Sequence, residues 1–156
     1  IAQGDVTFPL NVMFLNGAPG SGKSTYRGKI ASSLGIKAEP IVMSSLLKTP
    51  EFEAIKDRGE LIDCADVTSA LLKELTKSKY AHGAIVDGYP RTERQIDYMH
   101  QMYAGIPPPP SKKRQFNIVV IFVNEPTSVI RQSFRGTVYS FRNQKDKGRL
   151  AKPEDY

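Results

Sequence analysis

The sequence predicts an α/β fold in which a parallel sheet is flanked by helices. Short apolar runs alternate along the chain with segments of helical periodicity, and this order requires crossover connections between parallel strands. A glycine-rich segment, GAPGSGKS at Gly17–Ser24, lies between the first apolar run and the first helical segment. The length of 156 residues is enough for one domain with a buried core.

The first half of the chain predicts two strands, each followed by helical structure. Leu10–Leu15 is mostly apolar and short enough to form a buried strand. Ser24–Leu34 places its apolar residues on one helical face and ends before Gly35, which favours a helix stop. Pro40–Met43 forms a second, short strand, and residues 44–79 repeat apolar side chains at helical spacing.

The second half continues the alternation. Gly83–Asp87 is a strand that finishes in a carboxylate, and Thr92–Tyr103 is a helix opened by a threonine cap. Gly105–Ser111 contains four consecutive prolines, which predict a stiff surface connector, with an SH3- or WW-type ligand as the alternative. Phe116–Val123 is the most apolar strand and is expected at the centre of the sheet, and Glu125–Arg135 follows as a helix.

The glycine-rich segment fits the phosphate-binding pattern G-x-x-x-x-G-K-[ST], although a Gly/Ser/Pro turn that ends a strand is the alternative. Between a strand and a helix, successive backbone N–H groups converge on an anion, and glycines allow its close approach. Lys23 is expected to reach the β- and γ-phosphates, while the Ser24 hydroxyl and the Asp87 carboxylate place Mg²⁺, partly through water. The predicted nucleotide-binding residues are Gly17, Ala18, Pro19, Gly20, Ser21, Gly22, Lys23, Ser24 and Thr25.

Composition describes an ordinary globular protein and limits its partners. Hydrophobic residues make up 40% of the chain and charged residues 24%. No apolar run has the length of a membrane span and no secretory pattern is present, so no membrane partner is predicted. The single cysteine, Cys64, cannot form an internal disulfide, which predicts a reducing intracellular compartment, either cytoplasmic or organellar. The net charge of +6 comes without a nucleic-acid recognition motif and suits a polyphosphate ligand.

A second segment, taken together with the phosphate loop, resembles a known protein family. Asp87–Gln95 reads DGYPRTERQ, and together with Gly17–Lys23 it resembles the adenylate kinases, which are nucleoside monophosphate kinases of the P-loop NTPase type. The resemblance covers roughly residues 11–136. It implies a phosphotransferase that converts ATP and AMP to two ADP with Mg²⁺, AMP or another nucleoside monophosphate being the partner. The implied catalytic residues are Lys23, Arg91, Arg131 and Arg135.

The resemblance also assigns the acceptor side of the site. Arg91 presents a fork suited to the α-phosphate of a monophosphate, and Gln95 offers a donor and an acceptor to a purine edge. Arg131 and Arg135 share one helix face and are implied to stabilise the transferred phosphoryl group, a solvated basic face being the alternative. The implied AMP-binding residues are Lys48, Gly59, Leu61, Ile62, Gly88, Arg91 and Gln95.

Two parts of the chain depart from the family pattern. Met43 stands where a hydroxyl is expected, and Lys48 stands where an arginine would bind the monophosphate; lysine keeps the charge but loses the bidentate fork. Residues 136–156 are basic but show neither a lid return nor a final strand, so the lid and C-terminal part are expected to be incomplete. The predicted single domain at 1–156 therefore comprises a core at about 8–43 and 80–136, a helical monophosphate-binding insertion at about 44–79 and a lid-like basic tail at 136–156.

Several functions remain open after these departures. The leading prediction is a nucleoside monophosphate kinase acting on AMP. The alternative is a catalytically weak or inactive nucleotide-binding domain that serves as a structural part of a larger protein or assembly. The start at Ile1 and the abrupt end at Tyr156 are compatible with a trimmed, processed or partial chain. A kinase of a small hydroxyl acceptor and an RNA-binding protein are further alternatives.

Overall fold

Strands and helices alternate along the described chain, which comprises residues 8–106 and 112–142 of a computed structural model. The strands are β1 (Asn11–Asn16), β2 (Ile41–Val42), β3 (Ala84–Asp87) and β4 (Gln115–Val120). The helices are α1 (Lys23–Ser33), α2 (Met43–Leu46), α3 (Pro50–Asp57), α4 (Cys64–Leu75), α5 (Glu93–Ala104) and α6 (Glu125–Arg142), with a 3₁₀ turn at Ser78–Tyr80. The predicted α/β class is confirmed. The prolines of the predicted connector and the tail beyond Arg142 lie outside the described residues.

The sheet is parallel throughout, with the strand order β2-β3-β1-β4. Leu15 of β1 lies opposite Asp87 of β3, and Asn16 lies opposite Val120 of β4. The carboxyl ends of the strands therefore meet at one edge, where the phosphate loop leaves β1; this is the edge at which open α/β sheets bind ligands. The second strand is shorter than predicted, because Met43 already begins α2.

Within the described residues the most apolar strand, β4, lies at the edge of the sheet, whereas the sequence predicted a central position. Among the described residues β4 pairs with β1 alone. Ile118 is 59% exposed and Val120 is 65% exposed, whereas Val12 of β1 and Ile85 of β3 are fully buried. An apolar run predicts that both faces of a strand are packed against other elements. It does not predict how many strands pair with that strand.

Two apolar layers cover the faces of the central strands. Val12 and Phe14 of β1 point into the larger cluster, which α4 and α5 complete with residues such as Leu71 and Met99. The smaller cluster lies on the opposite face, where alternate residues of β1 pack with Ile85, Ile36 and the apolar residues of α1. The period of two along β1 thus places α1 on one face and α4 with α5 on the other.

Residues 44–79 are helical as predicted, and each longer helix begins at a capping residue. Thr49 accepts from the backbone N–H of Phe52 at the start of α3, and Asp63 accepts from that of Ala65 at the start of α4. The buried face of α4 packs on the larger cluster. No helix within the described ranges is long and apolar enough to span a membrane.

Candidate nucleotide site

The phosphate loop turns on glycines with positive φ. Gly17 has a φ of +150°, and a Cβ there would lie 2.4 Å from the carbonyl oxygen of Ile121 and 2.7 Å from Ser21 Oγ. Gly20 has a φ of +80°, and a Cβ there would lie 3.1 Å from the carbonyl oxygen of Ser128. The loop therefore packs against the end of β4 and against α6 too closely for a side chain at Gly17.

Lys23 begins α1 and folds its ammonium back over the loop. Nζ donates to the carbonyl oxygen of Gly17 and, at 3.0 Å, to that of Ala18. The Ser21 hydroxyl is buried and has no hydrogen-bond partner among the described residues. Buried polar groups almost always have a partner, and a bound anion or water would supply one here. A cation and an unsatisfied hydroxyl thus lie on the loop that the sequence predicts to bind phosphate.

Side chains of α6 hold the loop from the other side. Ser128 Oγ donates to the carbonyl oxygen of Pro19 at 2.6 Å, and Gln132 Nε2 donates to the same oxygen at 3.3 Å. Arg131 Nη1 donates to the carbonyl oxygen of Gly20 at 3.1 Å. Arg131, which the sequence predicted as a site residue, therefore contacts the loop. Ser128 and Gln132 were not predicted, although their i,i+4 spacing on either side of Arg131 places them on the same part of the helix surface. The side chain of Arg135 lies outside the described part of the structure.

Asp87 ends β3 beside the loop, and its carboxylate is paired with Arg27 of α1. Arg27 Nη1 lies 3.1 Å from Asp87 Oδ2, and the two side chains are 28% and 10% exposed. Arg27 was not predicted from the sequence, because the phosphate-loop pattern ends at Ser24. The pair joins the second turn of α1 to the carboxyl end of β3.

The oxygen donors here suit Mg²⁺, which prefers carboxylate, phosphate and water oxygens. Asp87 supplies a carboxylate and Ser24 an exposed hydroxyl on the first turn of α1. Across the described residues, no group of three His, Cys, Asp or Glu side chains could hold a metal ion by itself. A Mg²⁺ bound here would therefore take its remaining ligands from water and from a nucleotide, as Mg²⁺ commonly does.

The segment after β3 is hydrogen-bonded to the end of β1, where the phosphate loop begins. Asn16, the last residue of β1, donates from Nδ2 to the carbonyl oxygens of Pro90 at 3.0 Å and Tyr89 at 3.3 Å. The Tyr89 hydroxyl is buried and donates to the backbone oxygen of Gln95 at 2.8 Å. Burial raises the pKa of this phenol, while its hydrogen bond with Thr68 acts in the opposite direction. Sequence reasoning missed Asn16, which carries no motif of its own.

Arg91 and Gln95 are held together as a unit. The backbone N–H of Arg91 donates to Gln95 Oε1 at 2.8 Å, and Arg91 Nε donates to the carbonyl oxygen of Gly88 at 3.0 Å. Gln95 is 8% exposed, and Thr92 caps the helix that carries it. The amide oxygen of Gln95 is thus engaged within the protein. Arg91 is exposed, and its guanidinium lies beside Gly88.

The remaining predicted acceptor residues follow α2 and α3. Lys48 is exposed, and Leu61 is 96% exposed, while Ile62 packs against the larger apolar cluster. Gly59 has a φ of +73°, and a Cβ there would meet open space. No hydrogen bond or ion pair joins this group to Arg91 in the described residues. Hydrogen bonds and an ion pair therefore join the segment at 87–95 to the end of β1 and to α1, and Ile62 packs on the cluster that contains Tyr89.

Comparison with known proteins agrees with this geometry. Residues 16–147 match the family described as AAA domain, which is most of the chain. The chain belongs to this family. It is 40% identical over 102 residues to an adenylate kinase of Thermosipho melanesiensis, covering 60% of this chain and 46% of that protein. It is 34% identical over 106 residues to an adenylate kinase of Stenotrophomonas maltophilia, covering 62% of this chain and 56% of that protein.

A solved structure shows the same fold in a more distant protein. A gluconokinase of Sinorhizobium meliloti superposes with a TM-score of 0.53 at 19% identity, covering 84% of this chain and 67% of that protein. The predicted P-loop α/β fold and the resemblance to adenylate kinases are confirmed. The chain spans about half the length of the curated relatives it matches. The residue roles and the division into core, insertion and tail stay predictions.

Proposed function

We propose that the protein is a P-loop phosphotransferase that moves the γ-phosphoryl group of ATP to a nucleoside monophosphate, with AMP as the favoured acceptor. The observation that carries this proposal is the pair of hydrogen bonds from Asn16 to the carbonyl oxygens of Tyr89 and Pro90. They fix the segment that presents Arg91 to the strand end from which the phosphate loop begins. The similarity to adenylate kinases supports the same choice of acceptor.

The proposed reaction needs positioning and charge stabilisation by the chain's own residues. Lys23 would leave the loop carbonyls and bind the β- and γ-phosphates, while the loop N–H groups hold the same phosphates. Arg91 would direct its Nη groups to the acceptor phosphate, because a guanidinium binds phosphate through two parallel hydrogen bonds. Mg²⁺ bound by Ser24 and Asp87 would neutralise phosphate charge.

The bond changes balance without a side-chain nucleophile. An oxygen of the acceptor phosphate attacks the γ-phosphorus, the bond from that phosphorus to the β–γ bridging oxygen breaks, and ADP leaves with the electron pair. Arg131, which contacts the loop at Gly20, supplies positive charge near the migrating group. Placing donors where charge develops is the main catalytic device available to such a site.

The test is ADP formation from ATP and AMP with Mg²⁺, compared between the wild-type protein and Arg91→Ala. We expect Arg91→Ala to lower kcat/KM for AMP by about 100-fold, the usual cost of removing one charge-stabilising donor. Arg94→Ala is the matched control, because Arg94 is exposed three residues further along the chain and contacts the Tyr98 ring. Equal losses in the two variants would contradict the role of Arg91.

The second candidate is a nucleotide-binding domain that does not transfer phosphoryl groups and acts within a larger assembly. It is favoured by Lys48, which is exposed and lacks the bidentate fork of an arginine, and by the engagement of the Gln95 amide oxygen within the protein. Calorimetric ATP binding without ADP formation would support this candidate over the first. Phosphorylation of a small hydroxyl compound, unchanged in Arg91→Ala, would point to a different acceptor class.

A further inference from the structure

Arg27 lies on α1 four residues after Lys23, outside the phosphate-loop pattern. Its guanidinium donates to the carboxylate of Asp87 at 3.1 Å, and 28% of its side chain is exposed. The carboxylate is more deeply buried, at 10% exposure. Arg27 therefore bonds to the residue that the proposed function assigns to Mg²⁺.

The burial of Asp87 makes this partner important. A carboxylate withdrawn from water requires compensation by a cation or by hydrogen bonds, and the Arg27 guanidinium supplies both. A charge-assisted hydrogen bond of this kind is stronger than one between neutral groups. A divalent cation at the same carboxylate would lie close to the guanidinium, so repulsion between the two cations opposes its binding.

Lys23 and Arg27 share a face of α1, since they are separated by four residues. Lys23 donates to loop carbonyl oxygens, and Arg27 donates to a carboxylate oxygen one helical turn away. The two cations of this face are thus both bonded to oxygens of the protein itself. At Asp87, the guanidinium of Arg27 is therefore bonded to a carboxylate that is also a candidate metal ligand.

We propose that Arg27 and a divalent cation compete for Asp87, so that Arg27 sets the divalent-cation affinity of the site. The proposal rests on the proposed function in one respect, because it takes Asp87 as the carboxylate that holds Mg²⁺. Arg27 acts through Asp87 and is a positioning residue. Removing the guanidinium frees the carboxylate, and the affinity of Asp87 for a divalent cation rises.

The experiment measures Mn²⁺ binding to the full 156-residue chain without nucleotide, using the electron paramagnetic resonance signal of free Mn²⁺. Arg27→Met is compared with the wild-type protein, and Asp87→Asn in each background identifies the part of the binding that depends on Asp87. We expect Arg27→Met to lower the Asp87-dependent Kd for Mn²⁺ by about fivefold. This change corresponds to the upper end of the interaction free energies measured for exposed ion pairs. Lys29→Met is the matched control, since it removes a charge from an exposed position of the same helix.

The outcomes separate clearly. An Asp87-dependent Kd that is unchanged or raised in Arg27→Met overturns the competition, as does an equal change in Lys29→Met. If Arg27→Met loses its cooperative thermal transition, Arg27→Lys replaces it; lysine keeps the charge without the fork, and a smaller decrease in Kd is expected. An unchanged or raised Kd in that variant also overturns the proposal. Failure of the wild-type protein to form ADP would contradict the proposed function and leave this binding result intact.

Discussion

Ser128→Ala tests whether α6 holds the phosphate loop in place. The Ser128 residue is fully buried, and its Oγ donates to the carbonyl oxygen of Pro19 at 2.6 Å. Losing this hydrogen bond costs about 1 kcal/mol of unfolding free energy, because Gln132 still donates to the same oxygen and prevents the larger penalty of an unsatisfied buried group. Alanine has the higher helix propensity, which offsets up to about 0.5 kcal/mol of that cost.

The matched control for this prediction is Ser69→Ala. Ser69 is exposed within α4, so the substitution there changes helix propensity without removing a buried hydrogen bond. We expect Ser128→Ala to be less stable than Ser69→Ala by about 1 kcal/mol in urea unfolding, and its ATP affinity to fall severalfold. Equal stabilities and equal ATP affinities in the two variants would refute the idea that α6 positions the loop.

Three further changes test other contacts of the site. Asn16→Leu removes the two hydrogen bonds to the segment after β3. We expect the KM for AMP to rise about tenfold while the Kd for ATP, measured by calorimetry, stays unchanged. Equal increases in the KM and the Kd would contradict the link. Gly17→Ala would place a Cβ 2.4 Å from the Ile121 oxygen, and we expect nucleotide binding to be abolished in calorimetry. Burial raises the pKa of Tyr89 and Tyr103, so the folded protein holds these protons more tightly than the unfolded chain, and the unfolding free energy should fall as pH rises past 10. Tyr89→Phe should reduce this loss of unfolding free energy at alkaline pH. An unchanged dependence of the unfolding free energy on pH would contradict the role of Tyr89.

Local patterns were sufficient to predict the loop and the elements beside it. The glycine pattern, the preceding strand and the helix after Lys23 all lie within one short stretch, and their backbone geometry follows from nearest neighbours. The cap at Thr92 is equally local, since its hydroxyl accepts from the N–H of Gln95 three residues later. These features needed no knowledge of the sheet order.

Contacts between distant segments could not be predicted in the same way. Arg27 and Asp87 are 60 residues apart, and Ser128 and Pro19 are 109 apart, so each contact depends on how α1 and α6 are placed by the strand order. The edge position of β4 among the described strands was not predicted either, because the hydrophobicity of a strand does not determine how many strands pair with it. The engagement of the Gln95 amide oxygen depends on the turn at Arg91, which a pattern of residue types does not describe.

The side chains around the loop share one electrostatic role. The carbonyl oxygens of residues 17–20 each accept a hydrogen bond from a side chain: Lys23 serves the first two, Ser128 the third and Arg131 the fourth. These hydrogen bonds satisfy the loop carbonyl oxygens within the protein, so the loop N–H groups are the backbone groups we expect to bind an anion. The ammonium of Lys23 is the mobile member of this set, because it can exchange carbonyl oxygens for phosphate oxygens and gain a charge-assisted bond. We therefore expect phosphate affinity at this site to depend on the α6 contacts as well as on the glycine pattern, so that a substitution at Ser128 weakens binding although the motif sequence is unchanged.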